Sequence, residues 1–179
     1  MTSPVKRSYY RPGNDLRISS NQPREKLREV TVSGQEVLVL NGPNLNLLGV
    51  REPDVYGNAD YQALVSYCEQ AAKDLGLVAL VRQTNSESEL VEWVQQAAVA
   101  KQAIVINPAA FTHYSYALRD ALAACTAPVV EVHVSNPAAR ESFRHQSVVS
   151  AVVTGSISGF GFTSYELALR AIKGLLDGN

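Results

Sequence analysis

Glu131, His133 and Ser135 alternate with Val132 and Val134, so an extended backbone turns all three polar side chains to one face. From spacing alone, a histidine two residues from a carboxylate on a buried strand supports two readings. In one, the pair is a hydrogen bond that pins the strand. In the other, the imidazole is a general acid whose orientation and tautomer Glu131 sets. Further reactive groups follow apolar runs: Asn41 and Asn44 come after 37–40, and Asn107, Thr112 and His113 after 103–106. Arg51 and Tyr56 sit in a Gly/Pro/Asn-rich loop over about 42–58, long enough to be expected to act as a lid. Taken singly, Tyr56 also reads as an amphipathic anchor before Gly57, and Asn44 as a turn asparagine.

These groups need a scaffold that gathers strand ends. Strand-like segments at 36–41, 77–82, 103–107, 129–134 and 150–156 alternate with helical patterns at 60–75, from Ser86, at 115–124 and from Thr163, with a short helical turn around 138–143. Ser86 with Glu89, and Thr163 with Glu166, have capping-box spacing, and Ser115 is placed to cap the third helix. The final stripe is Tyr165, Ala168, Leu169, Ile172 and Leu176. Five strands that are apolar on both faces, each followed by helix, imply a doubly covered parallel sheet. The expected α/β fold is a flavodoxin-like three-layer sandwich with strand order 2-1-3-4-5, which puts a ligand crevice at the carboxyl ends of strands one and three.

With 179 residues, 46% of them hydrophobic and 18% charged, the chain suits one catalytic domain over 36–179 preceded by a basic extension over 1–35. That extension has seven Lys/Arg against three acids, while the remainder has nine against fourteen, which disfavours a nucleic-acid-binding core. The extension reads as disordered, with a partner-binding or targeting arm as the alternatives; Asp15, Glu25 and Glu29 weaken the targeting idea. Cys68 and Cys125 fall in helical patterns and read as buried reduced thiols. No apolar run approaches the ~20 residues of a membrane span, and no secretory core is seen at the start, so a cytoplasmic protein without membrane or nucleic-acid partners is expected.

The run from Asn41 to Gly49, Arg-Glu-Pro at 51–53 with Tyr56-Gly57, residues 82–87, 107–113, 117–121 and 131–136, Arg140 and residues 143–145 together closely resemble type II 3-dehydroquinate dehydratases over about 36–175. The resemblance implies dehydration of 3-dehydroquinate to 3-dehydroshikimate by anti elimination through an enolate. That reaction serves aromatic biosynthesis and quinate breakdown, and no cofactor or metal is expected. It implies Tyr56 as the base, held as phenolate by Arg51, because a phenol of ordinary pKa about 10 is protonated at neutral pH. It implies Asn44 beside the enolate and His133, with Glu131, as the acid. Asn107 would help to orient it, His113 and Arg144 would hold ring hydroxyls, and Val134 and Ser135 would grip the carboxylate. Asp120 would reach a neighbouring subunit's site in a dodecamer built from trimers, whereas Arg119 and Arg140 are expected to be structural or interfacial.

This chain departs from the family pattern at Ala109, where glycine is usual, and at Tyr114, Ala138, Gln146 and Ser164. Ala109 and Tyr114 bear on affinity or subunit fit rather than on the reaction. Rival chemistries fare worse. The five lysines, Lys6, Lys26, Lys73, Lys101 and Lys173, avoid the strand ends, against imine catalysis, and no Walker or dinucleotide motif follows strand one. The strands do not end in the acidic cluster of a phosphoacceptor module, and no compact zinc motif is present. Two other functional classes remain open: a non-catalytic pocket for a sugar acid, and a domain recruited to an acidic partner by its basic arm.

Overall fold

The computed structural model describes residues 34–50 and 59–178. Apart from residues 34 and 35, the basic extension expected over 1–35 lies outside them, as do Arg51 and Tyr56 of the expected lid.

In chain order the elements are β1 (Gln35–Asn41), α1 (Tyr61–Asp74), β2 (Leu77–Gln83), α2 (Glu87–Ala100), β3 (Ala103–Asn107), α3 (Tyr116–Ala123), β4 (Val129–His133), β5 (Gly155–Ser158) and α4 (Thr163–Leu176). The strands form one parallel sheet in the order β2-β1-β3-β4-β5, the flavodoxin-like arrangement expected. The period of two in β1 divides its side chains between two cores. Val37 and Val39 pack with Leu64 and Cys68 of α1 and with Tyr165 and Leu169 of α4. Leu38 and Leu40 pack with Leu90 and Val94 of α2 and with Leu118 and Leu122 of α3. Cys68 is sealed in the first core, and burial, with a smaller contribution from Glu69, pushes its thiol up to about 12, so it is inert near neutral pH. Cys125 lies just past the end of α3 rather than within it, and burial raises its thiol also.

Side-chain caps start three helices. Asp60 accepts from the Ala63 amide, Ser86 from Glu89 and Ser115 from Leu118. Both expected capping boxes differ from expectation. Glu89 accepts from the Thr84 hydroxyl, whose oxygen in turn takes the Ser86 N–H at 3.0 Å, so Thr84 replaces the glutamate in that half of the box. At α4 the residue before Thr163, Phe162, is already in right-handed helical backbone and offers no cap, and Glu166 instead accepts from Tyr67 and Arg170.

The fifth strand is displaced from the expected 150–156 to Gly155–Ser158. The Ser147 hydroxyl accepts from the Val149 and Ser150 amides and Val152 N–H bonds Val149 O, so the apolar residues 151–153 run through turns. Pairing resumes only where Thr154 N–H meets Val129 O. β5 is thus an edge strand with Gly155 and Ser156 exposed, not apolar on both faces. The helical turn expected near 138–143 is two 3-10 turns, Pro137–Ala139 and Ser142–His145. Among the described residues no helix is long and apolar enough to cross a membrane.

Candidate active site

A cleft opens at the carboxyl ends of β1, β3 and β4, as the strand order requires. On the β1 side its wall is Pro43, Asn44, Leu45, Leu47 and Leu48. Gly42 starts this loop because a β-carbon there would lie 2.5 Å from Pro108 O; the close approach lets Gly42 N–H bond Asn107 O at 2.8 Å. Asn44 has left-handed backbone (φ 67°), which asparagine tolerates, and its N–H donates to the Asn85 side chain at 2.9 Å.

Beneath the cleft, Asn41 and Asn107 are register partners at the ends of β1 and β3, and Tyr165 of α4 bridges them. Asn107 Nδ2 donates to Tyr165 Oη at 2.9 Å, and Tyr165 Oη donates to Asn41 Oδ1 at 2.6 Å. Asn107 Oδ1 accepts from Ala109 N–H at 3.2 Å, so the asparagine orients the floor of the cleft and makes no bond to His133. Burial raises the Tyr165 phenol well above its ordinary range, so it stays a neutral hydrogen-bonding bridge. The sequence reading assigned Tyr165 only to an apolar stripe; the paired asparagines were the signal that a buried polar partner was needed.

His133 lines the cleft, and its Nε2 lies 2.9 Å from Oε1 of Glu131, whose residue is wholly buried behind it. An ionised carboxylate only accepts, so Nε2 carries the proton and Nδ1 is the ring nitrogen left for a ligand. Glu131 also accepts from the hydroxyls of Thr112, Ser147 (3.1 Å), Ser150 and Ser156 (3.2 Å). Burial alone would raise its pKa, but the bonds from His133, Ser150 and Thr112 outweigh that and hold it at about 2. Thr112 was noted among the reactive groups after strand three but given no role, and Ser147, Ser150 and Ser156 were not singled out, since none is distinguishable from a turn serine in sequence.

His113 ends the 3-10 turn Ala109–His113 on the opposite wall, with its ring edge-on to Phe143 at 5.8 Å. Its Nδ1 lies 2.7 Å from Gln146 O; a carbonyl cannot donate, so Nδ1 does, leaving Nε2 as an acceptor in the neutral ring. Ala109, which begins this turn, has a left-handed backbone (φ 51°), consistent with the glycine usual there. Val134, Ser135, Arg140 and Arg144 also line the cleft, with Ala110 and Pro137. Arg140 thus belongs to the cleft wall, beyond the structural or interfacial part expected for it. Arg144 Nε donates to Glu141 at 2.7 Å and its guanidinium stacks 4.6 Å from the Phe143 ring; the Arg144 bond lowers the Glu141 carboxyl below its ordinary value. Asp120, on α3, does not line its own cleft; its side chain is 81% exposed, with Arg119 at 4.0 Å. Among the described residues no group of three or more His, Cys, Asp and Glu side chains comes together as a metal site.

The family profile described as Dehydroquinase class II matches residues 35–173. Over 137 residues the chain is 55% identical to the 3-dehydroquinate dehydratase of Dictyoglomus turgidum, covering 76% of this chain and 94% of that protein. Over 142 residues it is 57% identical to the 3-dehydroquinate dehydratase of Thermus thermophilus, covering 79% and 95%. The crystal structure of type II dehydroquinase from Propionibacterium acnes superposes with a TM-score of 0.77 at 51% identity, over 78% of this chain and 97% of that one.

Proposed function

The chain belongs to the class II dehydroquinase family and is a carbon–oxygen lyase that dehydrates 3-dehydroquinate, and we propose that it does so by anti elimination through an enolate, with a tyrosinate base and a histidine acid. Tyr56, as phenolate beside Arg51, takes the proton alpha to the ketone. Donors around Asn44 meet the charge that develops on the carbonyl oxygen. His133, acting as imidazolium, then passes its Nδ1 proton to the departing hydroxyl, which leaves as water, and returns to the neutral ring whose Nε2–H Glu131 holds.

One observation carries this assignment: the cleft joins a histidine backed by a buried carboxylate to a histidine backed by a neutral carbonyl. An acid that cycles through imidazolium needs a nearby negative charge, and Glu131 supplies it. A group that only receives a substrate hydroxyl needs a lone pair, and His113 Nε2 has one. Arg144 assists His113, and the backbone at Val134 and Ser135 grips the carboxylate. The full assembly proposed is a dodecamer built from trimers in which Asp120 reaches a neighbouring cleft; light scattering that finds an active monomer would overturn it. We also assign residues 36–179 to the catalytic domain and 1–35 to a basic N-terminal extension.

The test is to mix the purified protein with 3-dehydroquinate and follow the absorbance of the conjugated enone. Tyr56→Phe should abolish turnover yet still bind substrate, and borohydride with substrate should leave the wild type active. Near-wild-type turnover by Tyr56→Phe removes the tyrosinate base, and borohydride inactivation would point to an imine.

A further inference from the structure

The segment 146–150 touches the supports of both histidines. Gln146 O accepts a hydrogen bond from His113 Nδ1–H, and the next residue, Ser147, places its hydroxyl 3.1 and 3.3 Å from the two oxygens of Glu131, which holds His133. The same Ser147 oxygen accepts from Val149 N–H at 3.2 Å and Ser150 N–H at 2.9 Å and lies 2.8 Å from the Thr112 hydroxyl. Thr112 immediately precedes His113, donates to Glu131, and takes Val148 N–H on its own carbonyl at 2.8 Å. Ser147 and Thr112 therefore both sit where the two histidine supports meet, and of the two it is the Ser147 hydroxyl that also accepts the amides shaping the turn that carries Gln146 O.

We propose that Ser147 is a positioning residue that sets both cleft histidines at once, acting on His133 through Glu131 and on His113 through the carbonyl of Gln146. This deepens the dehydratase reading and rests on it. The bond to Glu131 fixes the carboxylate rotamer, and so the direction in which His133 offers Nδ1. The two amide bonds fix the turn, and so the point in space from which Gln146 O holds His113. Ser150 is the internal contrast, because its hydroxyl reaches Glu131 and Ser156 but touches nothing on the His113 side.

The experiment compares Ser147→Ala with Ser150→Ala. Ser147→Ala should lower kcat about tenfold, the worth of one hydrogen bond to a charged group, and raise KM several-fold as well. Ser150→Ala should lower kcat while leaving KM within about twofold, a change below half a hydrogen bond. Independently of turnover, solid-state NMR of protein carrying 15N-histidine has three rings to resolve. Ser147→Ala should move the signals of both His113 and His133, and Ser150→Ala that of His133 alone. Ser147→Thr, which keeps the hydroxyl, should restore kcat and both signals.

If Ser147→Ala only lowers Tm, with kcat, KM and both ring signals at wild-type values, Ser147 is a turn cap and the proposal is wrong. Matching behaviour of the two alanine variants would also overturn it. Should Ser147→Ala not fold, Ser147→Cys, similar in size but a weak donor, carries the same comparison: both signals moving supports the proposal, and neither moving ends it. A wild-type protein inert toward 3-dehydroquinate would remove the dehydratase reading but leave the ring signals as a test of the positioning.

Discussion

His133 closes a buried strand and donates its Nε2–H to a carboxylate sealed from solvent, whereas His113 closes a partly buried 3-10 turn and donates its Nδ1–H to a backbone carbonyl. The contrast teaches that the residue type sets little and the partner sets much. A buried carboxylate can neutralise a ring that gains and loses charge, and a carbonyl can only hold a ring in one tautomer. Each support also suits its place. Desolvating a carboxylate is costly, so it occurs where four hydroxyls and an imidazole compensate it; a carbonyl at the rim needs no such cage.

The largest effect that could break this comparison is on turnover. His133→Gln should lower kcat by about 10²- to 10⁴-fold with KM changed little, as expected for loss of a general acid. His113→Gln should chiefly raise KM, by about two- to tenfold, the worth of one neutral hydrogen bond. Steady-state enone formation measures both. If the two variants lose kcat equally, the partners do not divide the labour.

A second test sharpens the carboxylate side through pH. Glu131 in the folded protein sits at about 2, below its ordinary 4.5. The folded state therefore binds its proton more weakly than the unfolded chain, and ionised Glu131 contributes stability that is complete above about pH 4.5 and is lost as pH falls through about 2. The contribution is on the order of a few kcal/mol. Glu131→Gln should flatten stability against pH in this window, measured by urea unfolding at a series of pH values. An unchanged slope would mean that the hydroxyl cage does not favour the anion. Among the described residues His113 has no such carboxylate partner, so His113→Gln should leave that slope intact.

The Asn41–Tyr165–Asn107 bridge ties together the ends of β1 and β3 at the cleft floor. Tyr165→Phe keeps the ring but leaves Asn41 Oδ1 and Asn107 Nδ2 short of a buried partner, and should cost about 1–3 kcal/mol in chemical denaturation. If kcat and KM then change by similar factors, the floor serves both sides; a change in one alone would assign the bridge to that side.

How much of this was legible in the chain differs between the two sides for a physical reason. The sheet order, four of the five strands and the Glu131–His133 pairing follow from periods of two and from apolar runs, which burial enforces. The cage around Glu131 was not legible, because Thr112, Ser147, Ser150 and Ser156 come from separate turns and an edge strand that share no period. The displacement of β5 has the same origin: residues 151–153 look like a strand by composition, but hydrogen bonds from the Val149 and Ser150 amides to the Ser147 hydroxyl curl the chain before them. Arg140 was underread because a charged residue directly after a 3-10 turn gives no hint of which wall it lines. Capping went half right: a serine before a helix is a strong signal, while the glutamate three residues on has other partners within reach.

The smallest effect tests whether strain helps to hold the rim histidine. Ala109 opens the turn that ends at His113 and has φ 51°, a backbone that costs an alanine about 1 kcal/mol and a glycine almost nothing. Ala109→Gly releases that strain but enlarges the unfolded ensemble at a cost of about 0.5 kcal/mol, so the net gain should be about 0.5 kcal/mol, or a Tm rise of about 1–2 °C. The alanine also confines the turn, and glycine would let it sample more geometries, so KM should rise slightly, by less than about threefold, the worth of a fraction of one hydrogen bond, while kcat stays level. Tm and KM moving in opposite senses would mean that the rim gains order from a strained residue, whereas the His133 side gains it from a charge. A Tm that falls on substitution would mean that packing of the alanine methyl against the α1/α4 core outweighs the backbone term.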